Sequence, residues 1–190
     1  MERVTVDEVD PTAFDEDIDA RGLADALGTT ELSINHYRIP PGEGFPGGLH
    51  AHMDQEEVFV VLDGEATFLT VEDGTISVGA GEAIRFVPGE FQTGRNEADD
   101  DLVALALGAP RDTEDFRVPV ACPDCGHGDL RPDAGEDDVE LVCPECGTAH
   151  APQGCPECGT EMTVLPGDDR RTVVVCPDCG TELDRPRFAD

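Results

Sequence analysis

The chain contains no lysine. All 12 of its basic residues are arginine, set against 43 aspartates and glutamates, for a formal net charge of −31 over 190 residues. Phosphate contacts need clustered Lys and Arg, so nucleic acid is a poor partner for such a surface. An anionic membrane surface is disfavoured for the same reason. No apolar run approaches the roughly 20 residues of a spanning helix, so no membrane partner is expected. The opening MERVTVDEVD lacks the apolar core of a secretory leader, and the expected location is cytoplasmic. Cysteine is missing from the first 121 residues, and all eight lie beyond them.

The acids are spread along the chain rather than gathered in a tail. Residues 1–117 carry 27 acids and 7 Arg, net −20, and the remainder carries 16 acids and 5 Arg, net −11. Repulsion on this scale opposes compaction in dilute salt and is screened at high salt, where the Debye length falls to about 3 Å at 1 M. The lysine-free acidic surface resembles that of halophilic proteins from salt-loving archaea. A disordered acidic chain is the alternative, and the apolar runs and cysteine pattern argue against it.

Residues 1–30 form an acidic, mixed segment in which ARGLADALG predicts a short helix with Gly28 as its C-cap residue. From Glu31 the texture becomes that of strands. ELSINHYRIP, EEVFVVLDG, EATFLTVEDG, TISVGAG, EAIRFVPG and DLVALALG are short strand candidates, of which EEVFVVLDG is the most β-branched and aromatic. Two of them close on Asp63-Gly64 and Asp73-Gly74, each a hairpin signal. Spacing and Gly-rich turns predict an all-β sandwich or barrel over residues 31–108. Phe59, Phe68 and Phe86 are expected in its core. Residues 109–121 are Pro-bearing, charged and non-periodic, and read as a linker.

The eight cysteines form four C-x-x-C pairs: Cys122/Cys125, Cys143/Cys146, Cys155/Cys158 and Cys176/Cys179. Each cysteine of the first four has a counterpart 33 positions on, so C-x2-C-x17-C-x2-C occurs twice, over residues 122–150 and 151–190. The two-residue gap lets both thiolates of one turn reach one ion, and the following Gly permits the positive φ that turns backbone N–H groups toward sulfur. Disulfides are rarely kept in a cytosolic chain. A redox C-x-x-C would want a helix after its first Cys, where Pro and Gly stand here. Two structural Zn²⁺ are therefore expected, one per unit, although the same S4 geometry also holds iron. Each unit resembles a zinc ribbon. Units this short bury little core, so the metal would supply folding energy. His127 and His150 lie near the cysteine turns and are expected to be bystanders.

Between Gly42 and Gly64 runs GEGFPGGLHAHMDQEEVFVVLDG. His50 and His52 leave the same face of an extended segment. A carboxylate from the next strand, Glu56 or Glu57, would complete a set of two nitrogens and one oxygen. The spacing Gly44-x5-His50-x-His52-x4-Glu57-x6-Gly64 resembles the first motif of the cupins, with Glu57 at the ligand position. GAGEAIRFVPGEFQTGRN resembles the second motif, through Gly81, Pro88, Gly89 and Asn96. That resemblance, of the small single-domain kind, covers about residues 30–108. It implies a jelly-roll β-barrel holding one divalent metal (Mn, Fe, Ni, Cu or Zn) through three His and one Glu. This chain departs from the pattern at Gln92, which stands where the last His belongs and offers a carbonyl oxygen instead. The expected barrel ligands are His50, His52, Glu57 and Gln92. Alternatives are a three-ligand set without Gln92, and a pocket lined by the histidines with no metal. His36 or Tyr37 could line the pocket, since the two leave opposite faces of a strand, and Arg85 could face a carboxylate substrate.

The fold class expected is thus all-β, a cupin jelly-roll barrel followed by two small zinc-ribbon units. The functional expectation is a metal-binding cupin that takes a small polar molecule in the barrel. If it is an enzyme, the resemblance implies isomerase or dioxygenase-like chemistry. The alternative is a non-catalytic ligand-sensing or scaffold module whose ribbons dock a protein partner. Nucleic acid at the ribbons is disfavoured, because eight thiolates and two Zn²⁺ bring that segment to about −15, although it holds a local basic spot at Arg170-Arg171. Pairing as a homodimer is implied by resemblance alone.

Overall fold

The structure is a computed structural model in which residues 1–12, 18–134, 139–166 and 172–189 are described. Strands dominate. A 3-10 turn (Val6–Glu8) precedes β1 (Asp19–Gly22), and helix α1 (Ala24–Leu27) follows. The barrel continues with β2 (Ser33–Ile39), β3 (Ala51–His52), β4 (Glu56–Asp63), β5 (Glu65–Thr70), β6 (Gly74–Gly79), β7 (Ala83–Phe86), β8 (Gln92–Arg95) and β9 (Leu102–Ala109). Five strands form one sheet in the order β1-β2-β9-β4-β7, and three form the opposing sheet, β6-β5-β8. All pairings are antiparallel.

The apolar core lies between these sheets, as period-two patterning dictates. In β9, Leu102, Ala104 and Ala106 point inward and are buried, while the residues between them are half-buried. Phe59, Phe68 and Phe86 meet inside the barrel as expected, joined by Phe45. Neighbouring ring centroids lie 4.9–5.4 Å apart in edge-to-face and tilted arrangements. Asn96 is fully buried yet satisfied: its amide donates to the carbonyls of Ile39 and Asp100, at 2.9 and 2.8 Å, and its oxygen accepts from Ala98.

Two turn signals separate here. Asp73-Gly74 closes a true hairpin, with Thr70 opposite Gly74. Asp63-Gly64 does not, because β4 and β5 belong to different sheets. The chain instead bulges between Val61 and Asp63 and turns a corner at Gly64, where φ is 77°. A Cβ at Gly64 would lie 2.7 Å from the Asp101 carbonyl oxygen, so the corner demands glycine. The N-terminal segment also departs from expectation. The helix begins only at Ala24, and Gly28 does cap it at φ 68°, but Asp19–Gly22 form β1 against β2. Ile18 and Ala20 are buried in the barrel core, so the barrel reaches back across residue 30.

After β9 the chain forms β10 (Phe116–Arg117), then the first cysteine unit with β11 (Arg131–Ala134), β12 (Val139–Val142) and β13 (Ala149–His150). Next come β14 (Pro152–Gln153), β15 (Thr163–Pro166), β16 (Thr172–Val175), β17 (Glu182–Leu183) and β18 (Arg187–Phe188). Each unit carries a three-stranded sheet, β11-β12-β13 and β15-β16-β17, and β14 pairs with β18. Residues 109–121, read from sequence as a linker, are not a loose tether. β10 pairs with β3, and Val118 and Val120 are buried against Leu130 and Leu141 of the first unit. Arg170-Arg171 lies outside the described residues.

Candidate metal centres

The two cysteine clusters form within units, as the low entropy cost of closing a local loop favours. Cys122, Cys125, Cys143 and Cys146 converge in one, and Cys155, Cys158, Cys176 and Cys179 in the other. In all four turns the amide of the Gly after the second Cys donates to the first Cys carbonyl, at 2.8–3.0 Å. Those glycines, Gly126, Gly147, Gly159 and Gly180, have φ of 71–84°. Sulfur atoms of opposite turns stand 3.4–3.7 Å apart, as for Cys122 to Cys146 and Cys158 to Cys176. Tetrahedral bonds of about 2.3 Å to one ion separate sulfurs by about 3.8 Å, whereas a disulfide needs about 2.05 Å. The clusters therefore fit one Zn²⁺ each and not paired cystines. His150 is not among these ligands but is closer than a bystander: it is buried, with Nε2 3.4 Å from the Sγ of Cys122. His127 stands instead 3.4 Å from Asp129.

The barrel cluster is assembled from three segments. His50 and Gln92 face each other across the sheet and exchange both backbone hydrogen bonds, at 3.1 and 2.8 Å, so their side chains project to the same side. His52, two residues on, lies in β3 with its ring centroid 5.1 Å from that of His50. Glu57 comes from β4, and its donor oxygen and the two imidazoles lie within 4.8 Å of one another. Glu56 points away, into an exposed ion pair with Arg85 at 2.7 Å, which removes Arg85 from the site. Of the other pair, Tyr37 faces inward and packs on Phe45, while His36 lies outside the cluster.

Hydrogen bonding sets the ring states. The Gly48 carbonyl can only accept, so His50 Nδ1, at 2.8 Å, must carry a proton. Its Nε2 lone pair therefore faces the cluster, 3.4 Å from the Gln92 amide nitrogen. Gln92 also donates to Glu57 Oε2 at 3.1 Å, and His52 Nε2 lies 3.6 Å from that oxygen. His52 Nδ1 is buried without a hydrogen-bond partner. Burial dominates the electrostatics. It presses His50 down to about 4, opposed by the Gly48 bond, and it lowers His52 as well. Burial pushes Glu57 up to about 7, with the Gln92 hydrogen bond offsetting part of the rise. Tyr37 is pushed up to about 12 by burial and then by the Glu57 charge.

These residues fit a divalent cation. The imidazoles are held neutral, as ligands must be, and a cation reverses the penalty that burial places on the Glu57 carboxylate. Gln92 completes the fourth corner, with an oxygen to offer if its amide turns over. His52, Glu57 and Gln92 line a shallow, open depression together with Phe86, Val87 and Glu90. Among the described residues, no arginine lines it.

Sequence reasoning missed two residues here. Gln55 is buried and donates to the carbonyls of Pro110 and Arg111, at 2.6 and 3.2 Å, pinning the chain as it leaves β9. Phe116 stacks on His50, with centroids 4.6 Å apart and planes 22° apart, and meets His52 edge-on at 5.4 Å. A signal was present: Phe116, Val118 and Val120 alternate with polar or Pro residues, a strand pattern that the surrounding charge obscures.

Residues 35–108 match the family described as Cupin domain. A sugar phosphate isomerase of the cupin superfamily from Silicibacter pomeroyi is similar at 16% identity and TM-score 0.55, over 83% of this chain and 95% of that one. A Klebsiella pneumoniae protein with a double-stranded beta-helix domain is similar at 20% identity and TM-score 0.50, over 61% and 95%. A predicted oxalate decarboxylase from Thermotoga maritima is similar at 22% identity and TM-score 0.50, over 57% and 98%. At these identities the likeness shows the fold, a cupin jelly roll. No curated protein matches the chain.

Proposed function

From the premise of a cupin domain at residues 35–108, we propose that the barrel holds one divalent metal and through it binds a small polar molecule, such as a sugar or an organic acid. The observation that carries this reading is the convergence of His50, His52 and Glu57 within 4.8 Å, with Gln92 hydrogen-bonded at the fourth corner. A metal with open positions polarises a carbonyl or activates water or O2. The chain's own residues set what can reach it. Glu57 and Glu90 border the depression and no arginine does, among the described residues, so an anionic ligand has only the ion to meet its charge. Binding of an acid is therefore strictly metal-dependent. The two ribbons each hold a structural Zn²⁺. Cytoplasmic residence suits this reading, because a reducing compartment keeps thiolates available to zinc. The acid-rich, lysine-free surface supports adaptation to high salt.

One observation favours a non-catalytic sensing or scaffold module as the second reading. The depression beside the cluster encloses no space for even a water-sized sphere, whereas pockets that enclose larger ligands measure ~300–1,000 Å³. Calorimetric titration of the Mn(II)-loaded chain with oxalate and with glucose 6-phosphate tests the proposal. Binding of the small diacid that vanishes without metal and in His50→Ala is expected. Binding that persists in the metal-free chain would overturn it. Chemical change in the bound molecule separates enzyme from sensor.

A further inference from the structure

We propose that the ribbons clamp the barrel's metal ligands, with Phe116 as the positioning residue, so that metal affinity in the barrel depends on zinc in the ribbons. This rests on the reading that the barrel binds a metal. Three contacts carry it. The first is Phe116, whose ring covers the face of His50 and the edge of His52 while packing against the core of the first ribbon. That core includes the ligands Cys122 and Cys143, so the aromatic cover and the zinc turns share one apolar cluster. The second is the anchoring of the strand that bears Phe116. Arg117 pairs with Asp115 and donates to Asp129 of the first ribbon at 2.6 Å, and Val118 exchanges both backbone bonds with Leu130 at 2.9 and 3.0 Å. On the barrel side, Met53 N donates to the Asp115 carbonyl at 2.8 Å, and Asp54 accepts from Thr113 and from the Glu114 amide. The third comes from the second ribbon. The Leu49 amide donates to the Val164 carbonyl in β15 at 3.0 Å, immediately before His50. A Cβ at Gly48, whose carbonyl orients the His50 ring, would lie 3.3 Å from Thr163 and from the Val164 oxygen.

The His50 ring is thus held by its own strand pairing, by Phe116 and by Gly48, and the last two are held by the ribbons. Groups that orient a metal-binding histidine without touching the metal are worth about 10–100-fold in affinity. A ribbon that loses its zinc loses its fold, because the metal supplies its folding energy. The ring constraint goes with it, and the imidazole becomes free to leave the geometry that the ion requires.

The test is Mn(II) binding to the full chain, read from the electron paramagnetic resonance of the free ion, with zinc counted by elemental analysis. Mn(II) is a hard ion and does not displace zinc from thiolates. Wild type is expected to bind one Mn(II) that His50→Ala abolishes. Phe116→Ala, and separately Cys176→Ser with Cys179→Ser, are expected to weaken it by about 10–100-fold. Phe116→Leu keeps an apolar side chain without a stacked ring and guards against simple misfolding; it is expected to weaken binding by a smaller factor. A second readout needs no metal: the nitrogen chemical shifts of His50 should show Nδ1–H in wild type and a mixture of tautomers in the ribbon variant. Wild-type Mn(II) affinity in the Phe116 and cysteine variants, with the second ribbon's zinc gone, would overturn the clamp and leave the metal reading standing. Wild type with no site that His50→Ala removes would overturn both.

Discussion

The barrel and the ribbons bury themselves by opposite means. The barrel encloses Phe45, Phe59, Phe68 and Phe86 between two sheets, and its candidate metal cluster is not part of that apolar core. The first ribbon's core is Val118, Val120, Leu130 and Leu141 together with two cysteines of its own cluster, Cys122 and Cys143. A jelly roll with this much apolar area needs no ion to fold, whereas a ribbon this small does. On the reading proposed above, a metal would serve function in one region and structure in the other.

That contrast is broken most forcefully by stripping all metal with a strong chelator. The ribbons should unfold, since structural zinc supplies about 10–16 kcal/mol to such units, while the barrel's β signal in circular dichroism persists. Simultaneous loss of both would refute it. Next in size is Phe59→Ala, expected to cost the barrel about 3–5 kcal/mol in denaturant unfolding and to leave zinc content unchanged. Smaller is the pH dependence of the barrel metal. Glu57, held up to about 7, must lose its proton before it can ligate, and in the metal-free barrel its raised value means stability present below 4.5 and lost as pH rises through 7. His50, depressed to about 4, acts the other way: its contribution is full above 6.5 and falls as pH drops toward 4. The rise in melting temperature on adding Mn(II) should therefore grow between about pH 5 and 7.5. A pH-independent rise would contradict it. Least of all, Arg85→Gln should alter neither metal content nor its pH profile, because Arg85 only pairs with exposed Glu56.

Much of this was legible in sequence because periodicity and spacing are local. The strand runs from Ser33 to Ala109 and the two cysteine clusters lie where alternation and the 33-residue repeat put them. Glu57 rather than Glu56 is picked out by the motif resemblance, and the structure agrees: Glu57 joins the two histidines while Glu56 pairs with exposed Arg85. What escaped was long-range. Asp63-Gly64 reads as a hairpin because a turn residue says nothing about which sheet the next strand joins. Phe116 reads as linker because its apolar neighbours are Val118 and Val120, and their partners Leu130 and Leu141 belong to the next unit. His150 looks incidental until the fold brings it to Cys122, 28 residues away.

The most direct check on the barrel centre is a count of metals per chain in protein purified under reducing conditions and reconstituted with zinc and Mn(II). The account predicts two tightly held zinc ions in every case, and one further ion in wild type that His50→Ala removes while the fold survives. An unchanged count in that variant would contradict it.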